Sequence, residues 1–139
     1  MNKWNQSYGF LLGKALQQME NKFSEGLLPF NINSKQYGVL LFIEEKPYSS
    51  QKDISENLQI DRTTMVSHID HLETLGLVER TRNPSDRRSY SLLITEKGKE
   101  VLNSRWEFLT HIESEVLAPL DQQERQLLKD FLIRIWKSL

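Results

Sequence analysis

The stretch Ser50–Thr95, SQKDISENLQIDRTTMVSHIDHLETLGLVERTRNPSDRRSYSLLIT, decides how this chain folds. It opens on Ser50-x-x-Asp53, the spacing at which a serine hydroxyl and a returning carboxylate satisfy two free amides of a new helix. Ile54 and Leu58 give that short helix an apolar face. Gln59-Ile60-Asp61 reads as a turn, with Ile60 packing inward and Asp61 capping the next helix. From Arg62 to Leu75, the residues Met65, Val66, Ile69, Leu72 and Leu75 recur at helical spacing, and this stripe is expected to face the core. Gly76 suits the left-handed position that closes a helix. Leu77–Arg82 alternates as a strand, Asn83-Pro84-Ser85-Asp86 carries turn chemistry, and Ser89–Ile94 returns as a second strand. Helix, tight turn, longer helix and hairpin in that order make a winged helix-turn-helix.

The exposed features of such a unit suit the two grooves of duplex DNA. Arg62, Thr63, Thr64, Ser67 and His68 lie off the apolar stripe or at its edge, on the leading half of the second helix. Hydroxyls bond phosphates or base edges, and arginine forks onto guanine. The plainer alternative is ordinary helix surface, with Thr63 and Thr64 serving the cap. Ser50 and Gln51 open the supporting helix, whose first amides can meet a phosphate or be satisfied by capping alone. Arg87 and Arg88 stand at the hairpin tip, where arginine suits the enhanced negative potential of a narrow minor groove. Arg80 and Arg82 are either phosphate contacts or solvated strand charges.

Outward from this centre, Trp4, Tyr8, Leu11, Leu12, Ala15, Leu16, Met19 and Phe23 predict a helix over residues 3–25, ended by Gly26 and Pro29. Asn33 or Ser34 caps a helix over 35–45, stopped at Lys46-Pro47. Thr95 caps a long helix over about 96–117, closed by Pro119. Asp121-x-x-Glu124 starts a last helix carrying Leu127, Leu128, Phe131, Leu132, Ile135, Trp136 and Leu139. The expected fold is mainly α with a small two-stranded β wing, in one domain over residues 1–139. Residues 33–95 form its winged helix-turn-helix, and 1–32 with 96–139 form flanking helices. Those flanking helices carry wide apolar bands. A monomer would leave them wet, whereas two chains around a two-fold axis would bury them; closure of an intramolecular bundle is the alternative.

The chain has 139 residues, 38% hydrophobic, with no cysteine and a net charge of −1. Absence of cysteine excludes a disulfide framework, a thiolate nucleophile and thiol redox sensing. No apolar run approaches the ~20 residues that span a bilayer, and MNKWNQSYGF lacks the order of a secretory signal, so a cytoplasmic location with no membrane partner is expected. The charge balance argues against a nucleic-acid binder, but its distribution argues for one. Arg80, Arg82, Arg87 and Arg88 face one acid, Asp86, across eleven residues. Affinity that ignores sequence should be weak and salt-sensitive. No catalytic constellation or cofactor motif is visible, so an enzyme is not expected. His68 and His71 are one helical turn apart but lack an assigned carboxylate or cysteine partner, so no metal is expected. A winged helix used to bind protein, without sequence-specific DNA binding, is the rival reading.

The sequence resembles the MarR family of bacterial transcription regulators over nearly its whole length. The sharpest match is Asp86-Arg87-Arg88 followed by Ser89-Tyr90-Ser91-Leu92-Leu93-Ile94-Thr95, with Ile94 in place of the usual leucine. Leu72-Glu73-x-x-Gly76-Leu77-Val78-x-Arg80 and Thr95-Glu96-Lys97-Gly98 match the passages into the wing and out of it. The resemblance implies an obligate homodimer joined by the terminal helices, a recognition helix at 62–75 and a wing at about 82–90. It further implies that Arg88 reaches the minor groove and that Asp86 holds Arg88 by charge pairing. A repressor is the expected role, and two recognition helices related by a two-fold axis call for a pseudo-palindromic operator; the resemblance adds that many relatives release DNA on binding small aromatic or phenolic compounds. Tyr37 and Trp106, on helices bordering that effector cleft, are the candidate pocket residues. Peroxide sensing through cysteine is excluded here.

Overall fold

Asn2 accepts a hydrogen bond from the amide of Trp4 and starts a single 3-10 turn at Lys3–Gln6. The computed structural model describes residues 2–83 and 85–139, and describes Arg87 in its backbone alone. Pro84 of the expected wing turn and the side chain of Arg87 therefore lie outside the described residues. Helix α1 spans Tyr8–Leu27. The break before it comes at Ser7, whose backbone is extended and whose hydroxyl takes the amide of Phe10. The expected single helix over 3–25 is thus a 3-10 turn plus a helix that runs straight through Gly26. Gly26 is a packing residue there: a Cβ would collide with the ring of Phe108. The chain is turned instead by Pro29 in a 3-10 turn and by Asn31 in the left-handed region.

Helices α2 (Ser34–Glu45), α3 (Gln51–Leu58) and α4 (Arg62–Thr74) follow, and side chains set each of their starts. Asn33 with Gln36 and Ser50 with Asp53 form reciprocal capping boxes. Asp61 accepts from both the amide and the hydroxyl of Thr64, 2.8 Å each. Gly76, at φ +76°, closes the end of α4. Strands β2 (Val78–Asn83) and β3 (Asp86–Ile94) pair antiparallel, with Val78 opposite Ile94 and Arg80 opposite Leu92. A third strand, β1 (Ser49–Ser50), adds to the far side of β3, giving the order β1-β3-β2. The sequence predicts only two strands. The third exists because an N-cap residue is extended by necessity. With Tyr48 turned to φ 66° and its amide bonded to the Leu92 carbonyl, Ser49 and Ser50 lie along β3.

Helix α5 (Glu96–Val116) begins where Thr95 Oγ1 takes the amide of Gly98 and donates to the carbonyl of Gly76. Helix α6 (Gln122–Lys137) starts on a third capping box, Asp121 with Glu124. Two compact units divide the chain: Phe23–Phe108, and the residues up to Lys22 together with Leu109–Leu139. The first has a continuous core that includes Leu40, Ile43, Ile54, Met65, Ile69, Leu72, Leu77 and Leu92. In the second, Tyr8, Leu11, Leu12 and Leu16 of α1 and Leu127, Phe131, Leu132, Ile135 and Trp136 of α6 are exposed. No helix among the described residues is long and apolar enough to cross a membrane.

Candidate nucleic-acid interface

Within the Phe23–Phe108 unit, the start of α3, the outer face of α4 and the wing enclose one concavity of about 750 Å³. Ser50, Gln51, Arg80, Asp86 and Arg88 line it, so five of the residues expected from sequence converge there. The register explains how the wing presents its arginine. Arg82 pairs with Tyr90, but the next pair among the described residues is Asn83 with Asp86, so the register shifts there and the strand bulges at the tip. Asn83 ties that bulge down, accepting from the amide of Ser85 and donating to the hydroxyl of Ser89. Asp86 holds Arg88, but through the main chain: its Oδ1 accepts the Arg88 amide at 2.9 Å. No ion pair among the described residues joins the two side chains, so the charge pairing implied by the resemblance is replaced by a backbone hydrogen bond. That leaves the Arg88 guanidinium uncommitted.

Arg62, Thr63 and Ser67 are exposed on α4, and Thr64 is half-buried at the cap. Thr64 is committed to Asp61, whose carboxyl is held below its ordinary range by the Thr64 amide and hydroxyl. Arg82 is exposed on β2. Arg80 has partners that neither expected role includes. Its guanidinium is paired with Asp70, and lies 3.6 Å from Glu73, both on α4. It locks the wing to the recognition helix, and its charge is consumed internally.

His68 corrects the sequence reading more sharply. Only 8% of it is exposed, and the buried stripe of α4 is Met65, His68, Ile69 and Leu72. Val66, expected in the core, is 40% exposed. The helix is rolled because a polar partner waits inside. Gln36 uses its Oε1 on the amide of Asn33, which leaves its Nε2 facing His68 Nδ1 at 3.4 Å. A valine there would strand that amide; an imidazole accepts from it. The ring is then the neutral tautomer with its proton on Nε2, a buried atom without a partner among the described residues. Burial, with Lys35 and His71 adding, lowers the His68 pKa below its ordinary value against an opposing pull from Asp61. His71 reaches the carbonyl of Asn31 at 2.7 Å. No group of three or more His, Asp or Glu among the described residues is placed to hold a metal ion.

The two candidate pocket residues, Tyr37 and Trp106, differ in setting. Tyr37 is 1% exposed, donates to the Leu102 carbonyl at 2.8 Å and meets Phe23 edge-on. Burial and Glu44 push its phenol up to about 12. It is a core residue, while Trp106 is 49% exposed. A recess not expected from sequence, about 410 Å³, lies between α5 and α6 around Glu113 and Lys129. Burial raises the Glu113 pKa, and Lys129 opposes the rise.

Comparison with known proteins adds one family match, two relatives and two solved structures. A sequence model of the MarR family matches residues 30–89. The HTH-type transcriptional regulator BilQ of Clostridioides difficile is 30% identical over 110 residues, 75% of this chain and 71% of that protein. The regulator PrsX of Escherichia coli is 32% identical over 123 residues, 79% and 74% of the two chains. Among solved structures, the transcriptional repressor CouR bound to a 23-mer DNA duplex superposes with a TM-score of 0.87 at 32% identity, covering 97% of this chain and 96% of that one. A MarR crystal structure gives 0.86 at 23% identity, covering 95% and 90%, and shows the same fold.

Proposed function

The chain belongs to the MarR family, and from that premise we propose that it is a homodimeric repressor that occupies a pseudo-palindromic operator. As a member of that family it is a DNA-binding transcription regulator. The observation that carries the finer reading is the concavity between α4 and the wing, which Arg88 lines. Arg62, Arg82 and Arg88 are exposed, and none has an ion-pair partner among the described residues. The major groove takes a helix of this size, and a hairpin tip bearing Arg88 and Arg87 suits the neighbouring minor groove. Ser50, Gln51, Thr63 and Ser67 supply hydroxyl and amide groups for phosphates and base edges.

Dimerisation is supported by the large apolar side chains exposed on α1 and α6, a kind of surface that association would bury. A two-fold axis would set two recognition helices about 34 Å apart, on successive major grooves. Repression is supported by likeness to CouR, a repressor in a DNA complex. Control by a small aromatic or phenolic effector would act by linkage. A compound favouring a dimer with the wrong helix spacing lowers DNA affinity by its differential binding, and DNA lowers effector affinity equally. Burial of Tyr37 in the core leaves Trp106 the more accessible of the two candidate pocket residues.

The test is a mobility shift on the DNA upstream of the protein's own gene, at several salt concentrations with competitor DNA, beside light scattering. Expected are a dimer at micromolar concentration and a sequence-selective shift. Arg88→Ala should weaken it strongly and reduce the log–log salt slope by about 1. Only single chains together with no selective shift would overturn the reading.

A further inference from the structure

We propose that Val66 reads the 5-methyl group of a pyrimidine in the major groove, thymine in unmodified DNA. The inference rests on the duplex-DNA reading above and adds what one position of each half-site must carry. Thr63, Val66, Ser67 and Asp70 form the outer strip of α4, and Val66 is the one apolar side chain among the exposed residues of that helix. It lies one turn from Thr63 and one turn from Asp70, in the middle of the strip. Asp70 is already committed to Arg80. Val66 also lines the concavity with Ser50, Gln51 and Arg88, so the surface that receives DNA is the surface it faces.

An isopropyl group brought against base edges expels water without replacing its hydrogen bonds. Facing an amino or carbonyl group, it leaves that group unpaired, which is costly. The thymine methyl is the one apolar feature on the major-groove edges of the four base pairs. Attraction to that methyl and the penalty against polar edges therefore select the same base. The position of Val66 also makes the preference separable from phosphate binding, because the side chain carries no donor for an anion.

Duplexes enriched by the full-length chain from a random-sequence pool define the half-site. Each thymine is then replaced in turn by deoxyuridine, which deletes one methyl and keeps the pairing. At one thymine per half-site, wild-type affinity should fall about fourfold, equivalent to about 0.8 kcal/mol. Val66→Ala should bind the thymine and uracil duplexes alike. Val66→Thr keeps the side-chain shape and one of the two methyls, should melt like the wild type, and should show a weaker preference. With cytosine at that position, 5-methylcytosine should restore affinity for the wild type and not for Val66→Ala. The proposal is overturned if no uracil duplex binds the wild type more weakly, or if wild type and Val66→Ala lose affinity equally. Failure of the pool to enrich any duplex would instead overturn the DNA reading, and this inference with it.

Discussion

Replacing Arg80 with alanine separates a residue that grips DNA from one that shapes the surface that does. Its guanidinium is paired with Asp70 and stands 3.6 Å from Glu73. All three side chains are partly solvated, so each pair is worth at most about 0.5–1 kcal/mol after screening. Arg80→Ala should therefore cost about 1 kcal/mol of unfolding free energy. Its effect on DNA binding should be larger, for an electrostatic reason. Asp70 lines the concavity, and without its partner an uncompensated carboxylate faces the phosphates. At ~7 Å, with an effective dielectric constant between about 20 and 80, one such repulsion is about 0.6–2.4 kcal/mol. Affinity should thus fall between about threefold and fiftyfold. The assay is fluorescence anisotropy on a selected duplex across a salt series, with Arg80→Ala, Asp70→Asn and the double variant. The double variant should recover to within about threefold of wild type, because the uncompensated charge is gone. Its salt slope should match wild type, whereas Arg88→Ala should lose about one unit. No recovery in the double variant, with a slope one unit shallower, would mean Arg80 holds a phosphate itself and that the link to α4 is incidental.

Three further outcomes follow from the packing. His68 has a folded-state pKa below its ordinary value, so the unfolded chain takes up that proton first. Stability should be full above about pH 6.5 and fall as pH drops from there through the folded-state value; His68→Gln should flatten that slope in urea melts across about pH 5–8. Gly98→Ala should cost about 1–3 kcal/mol, since a Cβ would overlap the Leu77 carbonyl oxygen and stand 2.6 Å from Cγ1 of Ile94. Gly13, with nothing within 4 Å of an added Cβ, is the matched control and should tolerate alanine in the same melts. Tyr37→Phe should cost about 1 kcal/mol by deleting the donor to Leu102. In the wild type, ultraviolet titration should show one tyrosine ionising near pH 12 or only on unfolding.

The sequence reports local rules faithfully where one side chain settles them. Asn33, Ser50, Asp61, Thr95 and Asp121 each start the helix expected of them, because a cap is decided within four residues. Gly76 closes α4 for the same reason, its positive φ being a purely local demand. The Arg88-bearing wing was equally legible, since turn chemistry between two alternating runs needs no distant partner. What was illegible depended on contacts far along the chain. Gly26 reads as a helix stop until Phe108 is known to lie on it. Arg80 reads as a phosphate contact or a solvated strand charge until Asp70 and Glu73 come beside it. Tyr37 reads as a pocket aromatic until Leu102 presents its carbonyl.

The roll of α4 is the most consequential case, because it moves the functional surface. Periodicity offers two nearly equivalent stripes, Met65-Val66-Ile69-Leu72 and Met65-His68-Ile69-Leu72. A hydropathy rule chooses the first, since valine is apolar and histidine is not. The fold chooses the second because Gln36, fixed by its own capping bond to Asn33, points an amide inward that only a polar ring can meet. One buried hydrogen bond on α2 thus turns a histidine away from the DNA face and turns a valine onto it. The reading surface of α4 becomes less polar than its sequence suggests, and it does so at its centre. A helix that contacted phosphates alone would have no use for an isopropyl group at that place. A helix that must tell one base edge from another has one.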